Sequence, residues 1–290
     1  MSVDFSLKTR SPLSTKQTEE TVTSQFLFEL TLFSTSIFVF SALLLRFLLN
    51  LQTFLLLRIY SIHFQYSLLN IRFSSEDGTK WPFARILLVF GLGFLVFSFA
   101  ALLLVKKLRK IHKGNWKFRL FLTWIAFLFA HTLPAGIIAG VLFYNSFGIA
   151  FHWLISNMIF RSLIAAGVLV LMILFRPLWL FLFLNASPRR IFVKNNKYQN
   201  VYIQAVFFKS WLLGFLILLV FSLLVPDGFW PVYIFSLGFI AVPLFNKRGV
   251  HKKFHISRSE KKIISSRYAV LFVLVFLLIL WVENTFKFTF

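Results

Sequence analysis

The sequence predicts an all-α polytopic membrane protein of about seven transmembrane helices, and three observations predict it. Hydrophobic residues make up 59% of the 290 and charged residues only 14%, far from soluble proteins, where roughly half apolar and a quarter charged is usual. Runs such as Ile86–Val105 and Leu120–Phe143 contain no Asp, Glu, Lys or Arg and are long enough to cross a hydrocarbon core. The basic residues gather in short segments between such runs, seven in Lys106–Arg119, four in Asn185–Ile203 and eight in Lys247–Arg267, while Tyr144–Phe160 and Pro226–Tyr233 carry none.

Taken in order, residues 1–24 form a polar leader holding both charge signs, with Asp4, Lys8, Arg10, Lys16, Glu19 and Glu20. The basic start, short apolar core and small-residue cleavage site of a signal peptide are not clear in it. The first apolar run is therefore read as an uncleaved span, 25–46, opening a single integral membrane domain, 25–290. From Tyr60 to Leu68 apolar and polar residues alternate. Period two is a strand signal, so residues near 58–73 are expected to form a short extended or interfacial segment. An eight-span threading, in which residues 47–69 also cross, is the alternative. It would bury Arg58, His63 and Gln65, and charge inside lipid is expensive.

The remaining predicted spans are 86–105, 120–143, 151–184, 205–225, 229–246 and 268–286. Because loops rich in Lys and Arg stay cytoplasmic, the three basic segments are placed inside. The N-terminus is then cytoplasmic and the C-terminus outside. Trp81, Tyr144, Trp153, Trp230, Tyr233 and Trp281 fall near the outer boundary and Trp116 near the inner one, where aromatic belts form. Residues 149–184 would extend about 54 Å as one straight helix, too long for a perpendicular crossing. Part of this stretch must lie at the interface, and Pro177 marks a plausible break.

The formal net charge of +22 is accounted for by the same positive-inside loops, with anionic lipid headgroups as their partners; nucleic acid is not an expected partner. There is no cysteine, hence no thiolate chemistry and no disulfide. No His-Glu-x-x-His, Walker or dinucleotide pattern occurs. Only nine acidic residues are present, and within the assigned spans they reduce to Glu29 and Glu283 near the ends. A carboxylate relay and a magnesium cluster are both disfavoured, and neither cofactor nor metal is expected.

One stretch departs from plain lipid-facing helix: "AFLFAHTLPAGIIAGVLFYNSFGIAFHWL", residues 126–154. Ala135 and Ala139, like Gly136 and Gly140, stand four apart after Pro134, a small-residue stripe that lets two helices approach closely. His131 falls near the bilayer centre, where an ionisable residue points to function by default. Counting depth along a simple hairpin puts Arg161 level with Leu133. If the span instead begins at Arg161, the preferred reading, its guanidinium stays at the outer interface. Asn145, His152 and Ser156 are expected to form a polar face at the outer end of the hairpin. His131 and His152 lie about 18 Å apart by helical rise, too far to share a metal.

Together these features predict a multi-pass protein of a bacterial cytoplasmic (inner) membrane, leaning away from enzyme. It would be a membrane-embedded component or partner of other membrane proteins. The rival readings are a transporter or channel for a small or anionic solute and, behind it, a lipid-modifying enzyme using His131 or His152 as general base.

Overall fold

The computed structural model describes residues 24–67, 70–73, 81–110, 115–143, 147–188 and 196–224, with short pieces at 273, 274, 277 and 288–289. Helices dominate. Five helical stretches are long and apolar enough to cross a membrane: Ser24–Ile59, Phe83–Leu108, Trp116–Leu142, Met158–Asn185 and Tyr198–Phe221. The chain is thus a helical membrane protein by these segments. The predicted spans 229–246 and 268–286 lie outside the described residues, apart from helical positions at 273, 274 and 277.

Helix α1, Ser24–Ile59, is longer than the expected 25–46. It contains neither Gly nor Pro, so nothing in its backbone chemistry stops it at Arg46. Arg46 and Asn50 are buried within protein. Residues 47–59 therefore continue the first helix, and the separate crossing of the eight-span threading is not formed. The helix stops in a Schellman motif: Ile62 N–H donates to Leu57 O and Ser61 N–H to Arg58 O, both at 3.1 Å. Ser61 takes the left-handed conformation, φ 53°, and Ile62 buries itself in the same apolar cluster as Leu57, the contact that accompanies this cap. Only beyond it does the alternating pattern become a hairpin, β1 Phe64–Ser67 and β2 Asn70–Phe73. The extended segment therefore begins at 64, not 58. A two-residue strand, β3 Phe288–Thr289, pairs antiparallel to β1, with Gln65 opposite Thr289 and Tyr66 opposite Phe288.

Helix α2, Phe83–Leu108, follows Pro82. Helix α3, Trp116–Leu142, starts earlier than expected because Asn115 caps it, its Oδ1 accepting from Lys117 N–H at 2.9 Å. The predicted 151–184 crossing is three helices. Helix α4, Phe147–Leu154, is a short helix ahead of the crossing. Helix α5, Met158–Leu174, is capped by Asn157, whose Oδ1 accepts from Ile159 N–H at 2.8 Å. Helix α6, Arg176–Asn185, is set off from α5 at Phe175, with Pro177 in its first turn. The expected span 205–225 is formed by a π-helical turn, Gln204–Lys209, and α8, Ser210–Leu224, and is preceded by α7, Asn196–Ile203.

The core is held where α1, α3 and the π-helical turn meet. Trp124 Nε1–H donates to Ser34 Oγ at 2.9 Å, and that hydroxyl donates to Val206 O at 2.6 Å. A π turn widens the helix and disturbs its regular ladder, and Ser34 supplies a donor to a carbonyl within it. The Ser210 hydroxyl completes the pattern, reaching Ala205 O at 2.9 Å and Thr31 O at 3.1 Å. Aromatic rings close around these bonds. Trp124 stacks on Phe207 at 5.1 Å and meets Phe183 edge-on at 4.9 Å. Phe127 meets Phe207 edge-on at 5.0 Å, and Phe38 meets Trp124 at 5.0 Å.

Replacing Ser34 by Ala leaves the Trp124 N–H without its acceptor where no water replaces it. The expected loss is about 1–2 kcal/mol, read by detergent-denaturant unfolding in bicelles. A cycle with Trp124→Phe should show coupling of roughly 0.5–1.5 kcal/mol, and zero coupling would refute the relay.

Candidate functional site

The second half of α3 carries the small-residue stripe, and the structure packs α2 and α4 against it. A Cβ added at Gly136 would meet the Phe94 ring at 3.0 Å and Phe147 Cβ at 3.2 Å. One added at Gly140 would meet Gly148 Cα at 3.0 Å. Backbone thus lies against backbone where α3 and α4 cross, and Ala135 and Ala139 are buried on the same helix. His152 ties the crossing together: its Nε2–H donates to Gly140 O at 2.7 Å across twelve residues of sequence. Because a carbonyl only accepts, the Nε2 proton is assigned by the partner.

His131 is placed differently. It is 3% exposed, and its Nδ1–H donates to Phe127 O one turn below at 2.7 Å. The imidazole lies against Phe127, with centroids 4.1 Å apart, and against Trp179 at 5.3 Å. Its anchor at Phe127 and the His152 anchor at Gly140 are thirteen residues apart on α3, about 20 Å by helical rise. Among the described residues no group of three or more His, Asp or Glu side chains is placed to hold a metal.

A cavity of about 310 Å³ opens beside His131, between α2, α3, α5 and α6. Its walls are almost wholly apolar, including Leu102, Pro134, Val168 and Met172, with Ser98 and His131 the polar side chains apart from the Trp179 indole. Pro134 has no amide proton, so the carbonyl of Ala130, also in the wall, is deprived of its helical donor. Arg161 does not reach this space. It sits in the first turn of α5, seven residues before Val168 of the cavity wall, about 10 Å further along the helix. It is 8% exposed, and its Nε has no hydrogen-bond partner among the described residues.

Two of the three residues of the expected polar face at the outer end of the hairpin, His152 and Ser156, lie among the described residues. His152 is engaged with Gly140, Ser156 is exposed in the 155–157 connection, and Asn145 lies outside the described residues. Sequence reasoning missed three buried polar groups. Arg46 and Asn50 stand four apart on α1, with Arg46 6% exposed. Arg119 is 4% exposed at the start of α3 and lies within electrostatic reach of the buried Tyr202. The helical spacing of Arg46 and Asn50 within an apolar run was the available signal.

No family model matches the chain, and neither a curated protein nor a solved structure is detectably similar to it. Function has to be argued from the geometry.

The close backbone approach makes a prediction. Gly148→Ala places a methyl against Phe143 O and is expected to cost about 1–3 kcal/mol through overpacking. Gly167→Ala on α5, where a Cβ meets nothing within 4 Å, is expected to be neutral or stabilising by up to about 1 kcal/mol. Equal unfolding midpoints for the two variants would refute the packing role of the stripe.

Proposed function

We propose that the chain is a multi-pass inner-membrane protein that acts as an embedded component of an assembly with other membrane proteins, without catalytic apparatus of its own. The observation that carries this reading is the outward turn of α5. Of its residues only Arg161, Ala165 and Met172 are buried. Leu163, Ile164, Val170, Leu171, Ile173 and Leu174 are all exposed. Acyl chains alone would satisfy such a surface. Arg161, at its head, is turned inward with Ala165 and Met172, so the exposed apolar face itself, and not the guanidinium, is the surface offered to a neighbouring protein. The anion-transport reading lacks support in the cavity, whose wall among the described residues contains no Lys or Arg. A general-base role for His131 lacks a neighbouring titratable group in that wall.

The predicted threading, with the N-terminus inside and the C-terminus outside, gains support from the small sheet. Strand β3 pairs with β1, so residues 288–289 share a membrane side with the hairpin that follows the first helix. An even number of crossings must separate the two strands, and the total is then odd. Alkaline phosphatase fused after Phe290 is expected to be active, and a fluorescent protein fused ahead of Met1 is expected to mature. Both termini reporting the same side would refute the threading.

The native chain contains no cysteine, so Leu163→Cys, Val170→Cys and Leu174→Cys each supply one defined thiol. Cross-linking in native membranes is expected to give the same discrete protein adduct from at least two of the α5 positions. Absence of any protein adduct at all three would overturn the assembly reading.

A further inference from the structure

The cavity beside His131 is built like a ligand site. Its volume, about 310 Å³, is roughly twice the ~150 Å³ of a dry apolar cavity that takes up benzene, and it falls at the lower end of the range for small-molecule pockets. That is room for a chain of roughly ten carbons. The apolar wall gives such a chain van der Waals partners, whereas water finds almost none of the polar contacts it requires.

The polar groups in the wall narrow the chemistry. His131 Nδ1–H is committed to Phe127 O. A neutral imidazole with its proton there carries a bare lone pair on Nε2, and the side-chain hydrogen bond that His131 makes runs through Nδ1. One residue earlier, Ala130 O has lost its helical donor to Pro134. Both residues belong to the cavity wall. Adjacent positions of one helix therefore present acceptors beside a space lined by hydrocarbon. Ser98, in the opposite wall, has an enclosed Oγ without a hydrogen-bond partner among the described residues.

Among the described residues of the wall there is no carboxylate to balance a cation and no Lys or Arg to balance an anion, and an unbalanced charge is costly at this depth. An ether or ester could accept from Ser98 but would leave the His131 Nε2 lone pair without a donor. A hydroxyl group supplies the missing donor and, being uncharged, reaches this depth at modest cost. We propose that the cavity binds an uncharged hydrophobic alcohol drawn from the bilayer, its hydroxyl donating to His131 Nε2 and its chain lying against Leu102, Val168 and Met172.

The test uses the full-length protein in nanodiscs and a diazirine-bearing decanol as photoprobe. Adducts are mapped by mass spectrometry, with unlabelled decanol or decyl methyl ether as competitor. The expected result is labelling at residues 168–172 or 133–137, displaced by decanol about five- to tenfold more effectively than by the ether, as one hydrogen bond would give. His131→Phe should erase that difference. Val168→Phe, which fills the space from the outward helix, should abolish labelling there. Equal competition by alcohol and ether in the unmodified protein, labelling confined to other positions, or labelling unchanged by Val168→Phe would each overturn the proposal. The comparison in the unmodified protein decides the matter even if His131→Phe fails to fold.

Discussion

The described bundle depends on a relay of two hydrogen bonds through a single hydroxyl, from Trp124 to Ser34 to Val206. In water such a pair would be a minor term. In a bilayer the helices gain nothing from hiding apolar surface, because lipid is as apolar as leucine, and association rests on packing and interhelical bonds. The relay joins the N-terminal helix to the third helix and to the π-helical turn more than 170 residues along the chain. It also orients the Trp124 indole, on which the Phe38, Phe183 and Phe207 rings are arranged. The distortion of the α7–α8 segment and the position of α1 are thus one structural fact.

The same logic explains the second centre, at the other half of α3. There contact is made largely by removing side chains. Gly140 and Gly148 bring backbones together, and His152 adds one bond to a backbone carbonyl. The two histidines of this region, alike in sequence, have opposite roles. His152 spans two helices and consolidates their crossing. His131 bonds within its own turn and lines the cavity.

What was legible in the sequence follows from which features leave a local mark. The apolar runs announced helices, and the alternation after Tyr60 announced a strand, because both are written in neighbouring residues. The end of α1 was not legible: its Schellman cap uses Ser61 rather than glycine, and the helix ran on through Arg46, Asn50 and Gln52 to Ile59. The break between α4 and α5 had a signal in Asn157, a good N-cap, but an unbroken apolar composition concealed it. The pairings of the helices left no mark at all. A soluble helix shows its buried face by contrast with a polar one. Here the lipid face of α5 and the core face of α3 are both apolar, so periodicity could not tell Leu163 from Leu128, one exposed and the other buried.

That loss of contrast also bears on why a cavity persists. In a soluble protein an apolar void of this size is opposed by dispersion lost across it, a cost of about 24 cal/mol per Å³. In a membrane the fluid surrounding the protein is itself hydrocarbon, and a void within reach of it can recover those contacts by admitting a chain. Repacking is therefore under weaker pressure to close such a space. Pro134 holds it open from one side, since its ring cannot be accommodated in a regular turn without displacing the preceding carbonyl. On the other side the wall passes from α5 to α6 at Phe175. Polar groups then decide what enters. An entirely hydrocarbon wall would be indifferent among lipid chains, whereas His131 and Ser98 in this one favour a guest with a polar group to match them.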